Sequence, residues 1–180
     1  MPAKEGGHQL EDEFMTAQIP ETLLYNGEKL AMCDEPLSLW LKILSDEESP
    51  FEEMSSANWR GYVGTWQIKD NRLYLVDLRG KLKNGAQGSI ETFFPGFHDR
   101  VFAHWFSGQI RAPPGKLLNY FHMGYASQYE QDVLFLVDRG IIKNVDVREN
   151  GKAEKGTEGD GYQLAGATIF SRAKANGAKK

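Results

Sequence analysis

The strongest periodicity in the chain follows Asp34. Leu37, Trp40, Leu41 and Leu44 recur at offsets of three, four and seven, with Ser38, Lys42 and Ser45 elsewhere on the turn. That is the apolar stripe of one helix face, and Pro36 sits where a first-turn proline is tolerated. The spacing predicts one amphipathic helix, closing at Asp46-Glu47-Glu48-Ser49-Pro50. Beyond Trp59 the period shortens to two. Tyr62, Trp66, Ile68, Leu73 and Leu75 share one face of a hairpin turning at Asp70-Asn71, residue types that accept the positive φ of a tight turn. A two-residue turn pairs Ile68 with Leu73, Trp66 with Leu75 and Gly64 with Asp77. It leaves Lys69 opposite Arg72 on a wet face.

A second long strand is predicted over 101–112, with Phe102, His104, Phe106 and Ile110 on one face and Trp105, Ser107, Gln109 and Arg111 on the other. Pro113-Pro114-Gly115 stops it, 116–123 extends again and 124–127 turns. Val133-Leu134-Phe135-Leu136-Val137 is apolar on both faces, which predicts a central strand covered twice, the helix covering one side. Arg139-Gly140 closes that strand as a hairpin onto 141–147. Many consecutive strands with few helices predict an α+β fold, a mainly antiparallel twisted sheet with one or two short packing helices. Residues 1–18 read as a mobile N-terminal arm, and 19–149 as a single folded domain. Residues 150–180 form a Gly/Lys/Glu-rich linker, with a candidate last strand near 162–170 and a frayed tail.

Composition narrows the function classes. A chain of 180 residues, 41% hydrophobic and 12% aromatic, is long enough for one independent core. Its net charge of −4 disfavours broad contact with a phosphate backbone, so no nucleic-acid partner is expected. Lys69, Arg72, Arg79, Lys81 and Lys83 against Asp70 and Asp77 read as a solvated hairpin edge. The single cysteine, Cys33, excludes an internal disulfide and fits a reducing compartment. No apolar leader or membrane-length run is visible, so the expectation is a cytoplasmic protein without a membrane partner.

Several strong chemistries have no signature here. Gly80-Lys81-Leu82-Lys83-Asn84-Gly85 runs into Ala86-Gln87 and is no P-loop; a G-x-G-x-x-G turn, a G-x-S-x-G elbow and H-E-x-x-H or paired-Cys spacing are all missing. No metal site and no cofactor are expected. Among the histidines, His8 lies in the arm and His98-Asp99 is a polar loop pair. His104 is either a neutral core imidazole or an acid/base at the floor of a pocket, and His122 stands beside a Gly turn where it can face a cavity.

The segments richest in candidate chemistry are Trp59-Arg60-Gly61-Tyr62-Val63-Gly64-Thr65-Trp66 and Tyr120-Phe121-His122-Met123-Gly124-Tyr125. Large aromatics mixed with Arg, His and Gly supply the surfaces and hydrogen-bonding groups of a ligand pocket. By parity Arg60 shares a face with Tyr62 and Trp66, where a guanidinium requires a carboxylate partner, an aromatic stack or an anionic ligand. Asp77, the nearest acid on that face, lies too far along the strand without a bulge, so a more distant carboxylate is an equal candidate. Trp59 and Tyr62 have opposite parity and line one cavity only if the chain bends at Gly61.

These segments, with Leu24-Tyr25-Asn26-Gly27, Trp105-Phe106-Ser107-Gly108 and Pro114-Gly115-Lys116-Leu117-Leu118-Asn119-Tyr120, form a joint pattern. It resembles an uncharacterised group of bacterial and phage proteins, over about residues 19 to 149. The resemblance implies a bacterial or phage setting and a single domain, and it carries no activity and no catalytic residues.

Three functions remain open. The first is a module binding a small polar or anionic molecule, a nucleotide-like one included, through Trp59, Arg60, Tyr62, Trp105, Arg111, Tyr120, His122 and Tyr125. The second is a small enzyme using His104 or His122 as general acid/base, with Tyr120 or Tyr125 orienting the substrate. The third is a protein-interaction module in which Trp and Tyr are interface anchors. A concave aromatic site favours the first two and a flat exposed patch the third.

Overall fold

The computed structural model describes residues 16–44 and 49–152. Their elements run β1 (Glu21–Tyr25), β2 (Glu28–Met32), α1 (Pro36–Leu44), β3 (Tyr62–Lys69), β4 (Arg72–Lys81), β5 (Gln87–Gly88), α2 (Ile90–Phe93) and β6 (Val101–Phe102). There follow β7 (Gly108–Ala112), β8 (Leu117–Asn119), β9 (Gln128–Tyr129), β10 (Gln131–Asp138) and β11 (Ile141–Glu149). The described residues are therefore mainly β, with two short helices. No helix among the described residues is long and apolar enough to cross a membrane.

One large sheet carries the order β2-β1-β3-β4-β11-β10-β7, with β5 and β6 also paired to β4, and β8 with β9 makes a small second sheet. All its pairs are antiparallel except β1 with β3, which is parallel and sets Leu23 beside Trp66. The sheet curls until its two ends meet, Cys33 N–H donating to Arg111 O at 2.9 Å. Leu23, Trp66, Leu73, Leu75, Ile110 and Phe135 fill the enclosed core, joined by Leu37 and Leu41 of α1. Tyr25 meets Phe135 edge to face, with ring centroids 4.9 Å apart.

The hairpin at 62–81 turns at Asp70 and Asn71, with φ of 52° and 56°, burying Trp66 and Leu75 and exposing Lys69. Its register departs from a plain two-residue hairpin beyond Trp66↔Leu75. Val76 is an extra residue, so Thr65 faces Asp77 and Gly64 faces Leu78. This bulge turns Leu78 into the core and leaves Asp77 to pair with Arg79 at 2.7 Å.

Other expectations also need correction. The strand predicted over 101–112 is two strands, because the chain turns at 103–107 with Phe106 N–H bonding back to Ala103 O. Gly140 packs into that turn, and a Cβ there would stand 2.7 Å from Ala103 O. The turn breaks the alternation, so His104 is exposed instead of lying on a core face. The extension after Pro114 is short, ending at Asn119. β10 lies between β7 and β11, but only one of its faces is covered throughout, since Leu136 is 49% exposed. The end of the supposed N-terminal arm is fixed, Ala17 bridging to Gly124 and Gln18 being buried. The helix stop at 46–48 and the candidate strand near 162–170 lie outside the described residues.

Candidate functional site

Arg60 enters the protein at a bend. Gly61 adopts φ of 76°, and a Cβ on it would come within 2.1 Å of Glu52 O, so only glycine lets the chain turn so tightly there. The bend sends Trp59 outward, 42% exposed, while Arg60 is buried. Inside, the guanidinium Nε is 3.4 Å from Glu21 Oε1, and Nη1 is 3.4 Å from Glu35 Oε1. Nη1 also donates to the Tyr125 hydroxyl at 2.9 Å, Nη2 donates to Ile19 O at 2.8 Å, and the Tyr62 ring centroid lies 5.4 Å from the guanidinium carbon. The partners of Arg60 are thus Glu21 and Glu35, and Asp77 is not among them.

Glu21 opens β1 on the core-facing parity and is fully buried. Its Oε2 accepts the Trp66 indole N–H. Gly64 makes the room, because a Cβ at that position would lie 2.7 Å from Glu21 Oε2 and 2.8 Å from Trp66 Nε1. Burial pushes the Glu21 carboxyl up to about 7, against the opposing pull of Arg60 and the Trp66 hydrogen bond. For Arg60, burial opposes the charge, and Glu21, Tyr125 and Glu35 outweigh it. Burial likewise raises the Tyr62 and Tyr125 phenols, so both remain hydrogen-bond donors. Tyr125 donates to Glu35 Oε1 at 2.9 Å, Ser38 Oγ–H donates to Glu35 Oε2 at 3.1 Å, and Ser38 stands 2.8 Å from the Tyr62 hydroxyl.

A second arginine grips the same loop from its backbone. Arg111 donates through Nε to Asp132 Oδ1 at 2.7 Å, through Nη1 to Tyr125 O at 2.8 Å and through Nη2 to Ser127 O at 2.9 Å. Asn150 fixes the other Asp132 oxygen at 2.9 Å. Arg111 N–H donates to Asp34 Oδ2 at 2.7 Å, and burial pushes the Asp34 carboxyl up to about 6. The face of Arg111, read as a plain solvated strand face or a ligand contact, is a bracket for Tyr125 and Ser127. Burial also raises the Cys33 thiol to about 12, which removes it as a nucleophile near neutral pH.

Between these anchors the loop is outward. Tyr120, Phe121, His122 and Met123 are exposed, and His122 meets the Tyr120 ring edge-on at 4.6 Å. Gln18 ties this loop to Trp59. Its N–H donates to Gly124 O at 3.0 Å, its Oε1 accepts the Trp59 N–H at 3.3 Å, and its Nε2 donates to Ser56 O at 2.9 Å. Trp59 and the 120–123 loop therefore flank one fixed strip of backbone.

The structure brings Arg60, Tyr62 and Tyr125 together inside, and Trp59, Tyr120 and His122 outside. Trp105 belongs elsewhere, stacked with Phe94 at 5.0 Å and tilted against Trp40 at 5.1 Å, with its indole N–H on Pro36 O. His104 edges onto both indoles of that stack, and its Nδ1 is 3.2 Å from Phe102 O. The two histidines thus serve different clusters. Exposed His98 pairs with Glu91, 3.2 Å away, rather than with Asp99. Among the described residues no three His, Cys, Asp or Glu side chains are grouped to hold a metal ion. A shallow open depression of about 440 Å³ is bordered by Pro50, Leu82, Asn84, Thr92 and Phe93, none of them a candidate site residue.

Sequence reasoning missed Glu21, Glu35, Gln18 and Asp132. Glu21 carried a usable signal, because it shares alternation with Leu23 and Tyr25 and so places a carboxylate on a core face. No family model, curated protein or solved structure matches this chain.

Proposed function

We propose that this chain is a protein-binding module whose contact surface is built from Trp59 and the 120–123 loop. One observation carries the reading: Arg60 is buried, with both Nη atoms donating to protein oxygens and Nε 3.4 Å from Glu21 Oε1, while Trp59, Phe121 and Met123 are 42%, 43% and 57% exposed. Aromatic residues and methionine are the types enriched at protein interfaces, and binding loops work best on a rigid support. The buried ion cluster is that support. Arg60 is only 8% exposed and three of its N–H groups already donate to protein oxygens, so an external anion has little access to it, which weakens the small-molecule reading. In this reading the partner is a protein presenting an apolar surface, met in the cytoplasm, where Cys33 stays reduced.

The test is a photo-crosslinking amino acid placed at Phe121 in the native host, with the same group at Lys69 as the control. The expected result is a protein adduct at 121 that is missing at 69 and lost with Trp59→Ser. An absence of adducts at 121 and also at 123 overturns the proposal.

A further inference from the structure

Among the described residues β11 is paired on one side only over most of its length. It lies against β10 from Gln131↔Glu149 to Asp138↔Ile141, yet it meets β4 through the single pair Ile141↔Arg72 and the Ile142 N–H on Asn71 O. Beyond Ile142, residues 143–149 have no second strand on the side away from β10 among the described residues, and all seven are exposed. Asn150 N–H donates inward to Glu130 O. Backbone groups alternate sides along an antiparallel strand, so those of Val145, Val147 and Glu149 point outward. That is an open template for another strand.

We propose that a second copy of this chain occupies this edge, antiparallel, about a two-fold axis at Asp146. The sequence of the edge is self-complementary in that register. Lys143 faces Glu149 of the second copy, Asn144 faces Arg148, and Val145 faces Val147, each pairing occurring twice. The outward backbone groups of Val145 and Val147 then bond each other, and the half-exposed valines cover one another. Lys143 already lies 3.7 Å from Asp138, and Glu149 accepts from Gln131; both contacts are at the surface and leave room for the added pair. The one like-charge contact is Asp146 against Asp146 on the axis, with Arg148 of each copy diagonal to it. This surface is separate from Trp59 and Phe121, and the pairing goes beyond the function proposed above.

The test uses the full chain. Sedimentation from low to high micromolar protein is expected to show a mass rising from 20.3 kDa toward twice that value. Asp146→Cys is expected to form a covalent dimer on oxidation. Facing residues of a non-hydrogen-bonded antiparallel pair lie about 4.5 Å apart at Cα, within disulfide range, and Cys33 is buried. Arg79→Cys, exposed on β4, is the control and forms no covalent dimer under the same oxidation. Asp146→Asn should tighten the dimer about two- to fivefold by removing the like-charge contact. Val147→Pro, which deletes an outward N–H at an edge where proline is tolerated, should dissociate it, whereas Phe121→Asp should not. A monomer at every concentration overturns the proposal. So does a dimer that Asp146→Asn weakens, that Phe121→Asp dissolves, or that fails to crosslink through Asp146→Cys.

Discussion

Arg60 and Tyr125, 65 positions apart in the chain, are joined by a 2.9 Å hydrogen bond from Nη1 to the phenol oxygen. Because Arg111 holds the carbonyl of the same tyrosine at 2.8 Å, Tyr125 is fixed at both its side chain and its backbone. The loop before it is exposed but anchored. This relationship turns a charged core cluster into a support for a surface.

Removing the arginine should destabilise the fold. Arg60→Ala leaves Glu21 buried without its counter-charge, a loss of about 3–5 kcal/mol in urea unfolding above neutral pH. Adding Glu21→Gln should recover part of it. Unchanged stability in Arg60→Ala would detach the cluster from the fold.

The pH dependence has a definite sign. Burial raises Glu21 from 4.5 to about 7 and Asp34 from 3.8 to about 6, so between those limits the folded state holds protons that the unfolded chain has released. Their contribution is complete below the unfolded values and is lost as pH rises through the folded ones. For Glu21 alone this is about 3 kcal/mol. Melting temperature should therefore fall from pH 5 to pH 8, and Glu21→Gln should flatten the upper part of the curve. A wild-type curve that rises over that interval contradicts the assignment.

Gly64→Ala tests the fit around Glu21. The added methyl meets the carboxylate and the Trp66 indole at once, neither of which can retreat from the core. Overpacking of this kind costs about 1–3 kcal/mol, and a thermal melt reads it directly.

Surface changes should do the reverse. Trp59→Ser and Phe121→Ser are expected to stay within about 0.5 kcal/mol of wild type by chemical denaturation, while the adduct from a crosslinking residue at 123 disappears. A large stability loss in either variant would make these side chains part of the core.

Local patterns were legible where one element decided them. The helix at Pro36–Leu44, the Asp70-Asn71 turn and the Arg139-Gly140 turn appear as the spacing predicts, although Leu44, the last residue of the helix stripe, is 54% exposed. Asn26-Gly27, with φ of 51° and 81°, closes the β1–β2 hairpin and was an available turn signal left unused. The bulge at Val76 was not legible, because one extra residue leaves apolar alternation intact up to Leu75 and only then inverts it. Alternation marks Glu21 as core-facing, but its contact with Arg60, and that of Glu35, was illegible for a different reason. Glu21 reaches Arg60 through the parallel β1–β3 pairing and Glu35 from the residue before α1, and such contacts leave no mark on local periodicity. Exposure could not be read either: nothing in Tyr120-Phe121-His122-Met123 distinguishes a pocket wall from a surface loop until Tyr125 is anchored.

The central claim is that the aromatic segments serve a protein partner and that Arg60 is occupied by the protein itself. Native mass spectrometry of the full chain purified from its own host tests it most directly. The account predicts masses equal to the chain, to multiples of it, or to the chain with a protein partner. A small-molecule mass that is retained on the wild type and lost with Trp59→Ser would contradict it.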